Sequence, residues 1–337
     1  MTLQSIPHAH LLPDAWDRLA DSVFQRKHFL DYCESYNPCN QRYYCLLEKE
    51  TLLAGAVVYT LKINLFTFSN LRSVFKMQVI GLPVSVSAGG MIGTPSHQEI
   101  LIKKILEQER GLIVGLNLDP ELDTQPGVGM PLLPNLEMPV EFESWSDYLG
   151  QLRAPYRRRA LRITEKFREV RQVHSACSEF SATHYALYLA IMDRTPSKLE
   201  ILSQDFFQQL PPEFQLSTSY QGEEMLCWHI TCRAPERLYF FFGGNNYDQM
   251  EEYQSYFNNL FLILKRACAE QAGYLDLGQT AEIPKMRLGG RLIPKQLFLY
   301  HRFALIRWLF KKLKRQIGYT TTFPAVHVFR TVQPLEV

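Results

Sequence analysis

The stretch GGNNYDQMEEYQSYFNNLFLILKRACAEQAGYLDLGQTAEIPKMRLGG, residues 243–290, decides the fold. It opens on Gly243 and Gly244, which end an aromatic run, Leu238 to Phe242, with the composition of a strand. A helix follows, with Phe257, Leu260, Phe261 and Leu264 on one stripe and Gly273 in the capping place. Leu275-Asp276-Leu277-Gly278 then reads as a short buried strand. Lys285 is expected in the loop beyond it, close to Arg287, Gly289 and Gly290, where a substrate can approach the main chain.

Upstream, QLSTSYQGEEMLCWHITC reads as two strands around Gly222-Glu223-Glu224, preceded by a helix at Asp205 to Leu210. The same order is written earlier in the chain. A helix at Phe29 to Glu34 precedes YYCLLEKETLLAGAVVY, two strands around a Glu-Lys-Glu turn, and then TLKINLFTF, where Leu61, Ile63 and Leu65 alternate as a third strand. HQEILIKKILEQERGLIVGLNLD supplies the helix, with Ile100, Ile102, Ile105 and Leu106 apolar and Gly111 as cap, and the buried strand after it. Helix, three antiparallel strands, helix, strand is thus repeated. PGVGMPLLPNLEMP, rich in proline and glycine, reads as a linking loop. The division falls near 140–150: one half over residues 1–145 and a second over 146–337, which carries the 243–290 stretch.

The 243–290 signature resembles the FemAB-like branch of the GNAT superfamily, and the basic helix YRRRALRITEKFREVR resembles the helix that opens that family's second half. The resemblance is strong over residues 145–300 and only architectural before that. It implies an α/β fold of tandem GNAT-like halves, each a mixed, mostly antiparallel sheet flanked by helices. It also implies transfer of an acyl or aminoacyl group to an amine or hydroxyl acceptor, including acceptors in cell-envelope or polysaccharide precursors. Ile283-Pro284 precede Lys285 where the family commonly has an aromatic residue.

Acyl transfer passes through a tetrahedral oxyanion, which a lysine ammonium can stabilise, and Lys285 is the catalytic candidate. Gly243, Gly244 and Asn245 are the donor-binding candidates, since GNAT-like folds open a slot at this strand end; a turn or bulge is the plain alternative. Arg287 and the cluster Arg158, Arg159, Arg162 and Lys166 are candidates for phosphate of an acceptor or of tRNA, against a merely solvated helix face diluted by Glu165 and Glu169. No side chain declares itself general base; Asp276 is the nearest carboxylate to Lys285 in sequence.

Asp248, Glu251 and Glu252 are expected at the start of the helix after Gly244, where they would repel a pyrophosphate. Aminoacyl-tRNA or another carrier-linked donor is therefore favoured over acyl-coenzyme A, and no bound cofactor is expected. In the first half SVSAGGMIGTPSHQE leads into a helix with Ser96 and Glu99 in capping-box spacing; a loop is expected there, a phosphate cradle the alternative.

A formal net charge of +2, from 36 Lys plus Arg and 34 Asp plus Glu, excludes a whole-molecule electrostatic trap for nucleic acid. The amino terminus lacks a secretory pattern and no long apolar run occurs, so a cytoplasmic location is expected. The 7 cysteines include no C-x-x-C pair, and His8-x-His10 has no partner cluster, so no metal site is expected. HRFALIRWLFKKLKRQIG, residues 301–318, has the composition of an amphipathic helix; packing on the second lobe is the expected outcome, a peripheral membrane contact the alternative. A non-catalytic binding protein that keeps the GNAT fold, at a membrane surface or elsewhere, is the competing functional class.

Overall fold

The computed structural model describes residues 1–64, 74–195 and 200–330. They form two compact units, Met1–Pro134 with Pro294–Thr321 and Asn135–Ile293 with Thr322–Val337. A cut at 145/146 would instead place Pro294–Thr321 in the second half.

The chain begins with β1 (Thr2–Ile6), α1 (Ala15–Leu19), α2 (Lys27–Tyr36), β2 (Arg42–Glu48), β3 (Thr51–Asn64), β4 (Val74–Ile80) and β5 (Met91–Gly93). It continues with α3 (Pro95–Gln108), β6 (Leu112–Leu118) and β7 (Val128–Pro139). The second unit adds α4 (Trp145–Gln151), α5 (Ala154–Glu165), β8 (Arg171–Ala176), α6 (Ala182–Arg194), α7 (Gln204–Gln208), β9 (Phe214–Gln221), β10 (Glu224–Arg233) and β11 (Arg237–Asn245). After α8 (Met250–Tyr253), α9 (Ser255–Ala269), β12 (Tyr274–Gly278) and α10 (Glu282–Met286), β13 (Arg291–His301) and α11 (Ala304–Ile317) lead back into the first unit.

The repetition holds in the ladders. In the first unit β1, β2, β3 and β4 pair antiparallel in order, and α3 then carries the chain to β6, parallel to β4. In the second, β8, β9, β10 and β11 do the same and α9 leads to β12, parallel to β11. β6 is then flanked by β13, and β12 by β7, both antiparallel. The helices bury the stripes that face these sheets: Leu101, Ile102, Ile105 and Leu106 on α3, and Leu260, Phe261, Ile263 and Leu264 on α9. At about 1.5–3 kcal/mol for each such side chain removed from water, these stripes hold helix to sheet.

Several local expectations are corrected. PGVGMPLLPNLEMP is not a loop: all but its first residues lie in the 12-residue β7. Its prolines hide an alternation in which Val128 and Met130, then Leu136 and Met138, are buried, while Pro134 stands before the Leu136–Pro139 ladder. TLKINLFTF does not form a strand of its own; with no turn residue ahead of it, β3 simply continues to Asn64 and the third strand starts at Val74. Leu65 lies outside the described residues. α9 ends at Ala269 with Glu270 as its cap, and Gln271 just beyond takes a left-handed φ of 49°, so the capping place is not Gly273's. The N-cap of α3 is Thr94 with Pro95 behind it, not Ser96, and Glu99 instead accepts from the Asp123 amide at 3.0 Å.

His8 is tied down rather than loose: it lies 3.1 Å from Glu34 and stacks on His10 at 5.5 Å. Among the described residues no helix is long and apolar enough to cross a membrane. α11 belongs to the first unit, not to the second lobe on which its packing was expected, and none of its residues is buried.

Candidate functional site

In the second unit β11 and β12 run parallel only briefly. Their ladder joins Arg237, Leu238 and Tyr239 to Tyr274, Leu275 and Asp276 and stops there. β11 goes on to Asn245 paired with β10, while Gly278 of β12 pairs with Leu136 of β7. The parallel strands therefore part beyond Tyr239, and from Phe240 on the edge of β11 that faces away from β10 has no ladder partner among the described strands.

The glycines beside this parting are fixed by packing. A side chain on Gly244 would sit 2.1 Å from the Trp228 indole nitrogen, and one on Gly243 would sit 3.1 Å from the Trp228 carbonyl. Trp228 itself is held by donating to the His184 carbonyl at 3.0 Å. The Asn245 side chain is engaged too, accepting from Ser255, the first residue of α9, at 3.2 Å. Gly243 and Gly244 thus pair in register with His229 and Trp228, just past a bulge at Phe241, and do not form a turn.

Lys285 lies next to the parting. The sequence places it in a loop; the structure places it on α10, 3% exposed. α10 starts at Ala281, where Thr280 and Ala281 both have positive φ, so the backbone reverses sharply after β12 and folds the lysine inward. Its ammonium donates to the Gln279 carbonyl at 2.7 Å and the Gly278 carbonyl at 3.3 Å, and it stands 5.9 Å from the Phe240 ring centre. Burial pushes its pKa down to about 7, against the opposing pull of Asp276 and Glu282. Asp276 is buried, accepting from the Gly278 amide at 2.8 Å and the Asn135 side chain at 3.0 Å. It acts as a brace for the end of β12. Gly289, at φ 113°, lies where a side chain would meet the Phe329 ring, so this glycine too answers to packing.

The basic residues separate. Arg158 and Arg162 are exposed on α5, and Lys166 donates to the Glu252 carbonyl at 2.6 Å. Arg159 turns inward over the Phe257 ring, 4.6 Å from its centre, and meets Arg287 in a small pocket lined also by Tyr148, Tyr156, Phe261 and Leu288. Burial and then the Arg287 charge hold the Arg159 pKa below its ordinary value. Among the described residues neither guanidinium has a carboxylate partner. Two cations lining one pocket, one of them over an aromatic ring, form a place that an anion would relieve.

One premise about the donor is corrected. Glu251 and Glu252 belong to the single turn α8, and Asp248 to the bend before it, while α9 begins separately after Gln254 in the left-handed region. The first turn of α9 carries no acid. The carboxylates therefore do not cap the helix from which a pyrophosphate would be repelled.

The sequence reading missed two buried imidazole contacts, one on each face of the second unit's sheet, since Thr218 pairs with Trp228 and Ser217 with the next residue, His229. His229 on β10 lies 2.6 Å from the Asn259 side-chain oxygen, and His184 lies 2.9 Å from the Thr218 hydroxyl. Burial pushes both imidazole pKa values down to about 4, so both are neutral near pH 7. The signal was present in the consecutive asparagines, Asn258 and Asn259, interrupting the apolar stripe of α9; a buried amide there demands a polar partner on the sheet below.

No protein-family profile matches the chain, and no curated protein matches its sequence. Solved structures match its fold. FemX superposes with a TM-score of 0.57 at 11% identity, covering 93% of this chain and 100% of FemX. The C-terminal DUF2156 domain of an Agrobacterium fabrum protein assigned as a lysylphosphatidylglycerol synthetase gives 0.56 at 9% identity, over 88% of this chain and 92% of that one. L-PGS from Bacillus licheniformis gives 0.51 at 13% identity, over 86% and 96%. At these identities the likeness is one of fold: the chain shares the fold of FemX, a mixed, mostly antiparallel sheet flanked by helices in two repeated units.

Proposed function

We propose that the chain is an acyltransferase of the FemAB-like type, moving an acyl or aminoacyl group to an amine or hydroxyl acceptor where β11 and β12 part. The observation that carries this reading is a lysine buried at the parting, with its amine held against the carbonyls at the end of β12. A buried ammonium is expensive, and without a use for the charge an apolar side chain would fill the same space more stably. In this reading the third N–H of Lys285 is directed to the oxyanion of the tetrahedral intermediate. Arg159 and Arg287 take a phosphate of the donor or the acceptor.

The donor proposed is carrier-linked, with aminoacyl-tRNA ahead of acyl-coenzyme A. The exposed Arg158 and Arg162 beside the Arg159–Arg287 pocket support it, since a polyanion could span them, whereas the acidic-helix argument no longer does. The name lysylphosphatidylglycerol synthetase, carried by one structure of this fold, describes an aminoacylated lipid, which is in keeping with the hydroxyl side of the proposed acceptor class.

The competing reading, a binding protein that keeps the fold without turnover, draws on the closure of Lys285 from solvent. Transfer assays separate the two. The full chain, given radiolabelled aminoacyl-tRNA or acetyl-coenzyme A with a panel of amine and hydroxyl acceptors, should release the label from tRNA into product. Lys285→Met should lower that turnover by about 10²–10³. Turnover in Lys285→Met equal to wild type removes the assigned role, and saturable micromolar binding of acetyl-coenzyme A removes the donor assignment.

A further inference from the structure

α11 carries a surface that nothing in the proposed chemistry uses. Leu305, Leu309, Leu313 and Ile317 recur every fourth residue and so share one face, and their exposures run from 75% to 38%. Trp308 and Phe303 are more than half exposed at its margin. The opposite face carries Lys311, Lys314 and Arg315, with Lys312 at the boundary, 5.7 Å over the Trp308 ring, while Arg307 is turned back onto the His301 and Arg302 carbonyls. The helix ALIRWLFKKLKRQI contains no acid.

The helix is ordered without being covered. Phe310 packs on a buried cluster of the first unit, Val114, Val128, Met130, Leu297 and Leu299. Beyond the helix the Tyr319 amide donates to the Pro131 carbonyl at 2.9 Å, and the Gly318 amide closes the last turn on Lys314. These contacts fix the axis against the unit and leave the leucine row outside.

A contiguous leucine row on a monomer's surface marks a contact with something apolar. The uniform charge on the other side selects what that is. A second copy of the helix would bring like charges together. Nucleic acid would be drawn to the lysines and would leave the leucines in water. An anionic bilayer satisfies both faces at once, its acyl boundary taking the leucines and its headgroups the exposed lysines and Arg315. We propose that α11 docks the protein on an anionic membrane surface, lying in the plane of the interface with Leu305, Leu309, Leu313 and Ile317 inserted.

The full chain is tested by co-sedimentation with vesicles of phosphatidylcholine alone and of phosphatidylcholine with about one third phosphatidylglycerol. Binding to the mixed vesicles is expected, with a blue shift of Trp308 emission that is absent in Trp308→Ser and release as salt rises. Each basic side chain near such a surface contributes roughly fivefold, so neutralising Lys311, Lys312 and Lys314 to Gln should weaken binding by about 100-fold. Leu309→Glu with Leu313→Glu should abolish it, and Leu305→Gln, at the most exposed position, should weaken it without touching any packed residue. All these sites are exposed, so the unfolding midpoints should match wild type. Failure to bind the mixed vesicles overturns the proposal, as does binding that survives Leu309→Glu with Leu313→Glu. Dimerisation that depends on Leu309 without vesicle binding would assign the face to a second copy instead.

Discussion

Replacing Lys285 with methionine keeps the length of the side chain and removes its charge, and the pH dependence of the result tests how the lysine is held. Burial lowers its pKa from 10.5 to about 7 in the folded protein, so between those values the unfolded chain binds a proton that the folded chain does not. Wild-type stability from this group therefore rises with pH across that window, by about 1.4 kcal/mol per pH unit at most. Lys285→Met has no such term. Allowing for half-titration at the lower limit, the stability difference between mutant and wild type should shift by about 2 kcal/mol in favour of wild type between about pH 7 and pH 9. The absolute offset has a different origin, because methionine leaves the Gly278 and Gln279 carbonyls without their donor. Tyrosines and cysteines that titrate at high pH are common to both proteins and cancel. Urea unfolding followed by circular dichroism at stepped pH reads the difference directly. Parallel curves, constant to within about 0.5 kcal/mol, would refute a buried amine of depressed pKa.

Gly244→Ala should destabilise the second unit by about 1–3 kcal/mol, measured as a lower urea midpoint, because the new methyl meets the Trp228 ring; an unchanged midpoint would mean that Trp228 moves freely. The His229 pKa is pushed down to about 4, below the ordinary 6.5, so stability is lost as pH falls through that interval, by up to about 3 kcal/mol. His229→Gln should flatten that loss, and an equally steep acid transition in the variant would count against it. Arg287→Met and Arg159→Met should each weaken binding of pyrophosphate, used as an anion probe in calorimetry, by at least about tenfold while leaving the unfolding midpoint within about 2 °C; undiminished binding would exclude the pocket.

Much of the fold was legible because local signals agreed with the ladders. The turns at Lys49 and Gly222 are where the charged or glycine-containing pairs put them, and the α3 and α9 stripes face their sheets. β7 was not legible, because its proline content matches a loop and only its partners show that the alternation counts. The site was half legible. Residue type could nominate Lys285, Arg159 and Arg287, but sequence spacing could not show that a left-handed pair at Thr280 and Ala281 would turn the lysine inward. Nor could charge runs show which arginine of α5 faces the pocket: Arg158 and Arg159 are neighbours in sequence, and the helix sends one to solvent and the other over Phe257.

The repeat also explains why one unit, and not both, is the candidate for chemistry. In the first unit β4 parts from its parallel partner β6 after Ile80, as β11 parts from β12. There the chain spends the gap on itself. The Gly81 amide donates to the Val57 carbonyl and the Val57 amide to the Gly90 carbonyl, so the loop between them closes back on β3. Asn117 on β6 donates to the Val86 carbonyl at 2.7 Å, and a side chain on Gly89 would come within 2.9 Å of the Asn117 carbonyl. The glycine-rich segment is thus consumed in filling its own opening rather than cradling a phosphate. In the second unit β11 continues as strand, the turn after β12 is short, and a titratable amine is brought to the corresponding place. The same backbone plan yields a closed unit or a candidate active unit, depending on what the loop after the third strand does.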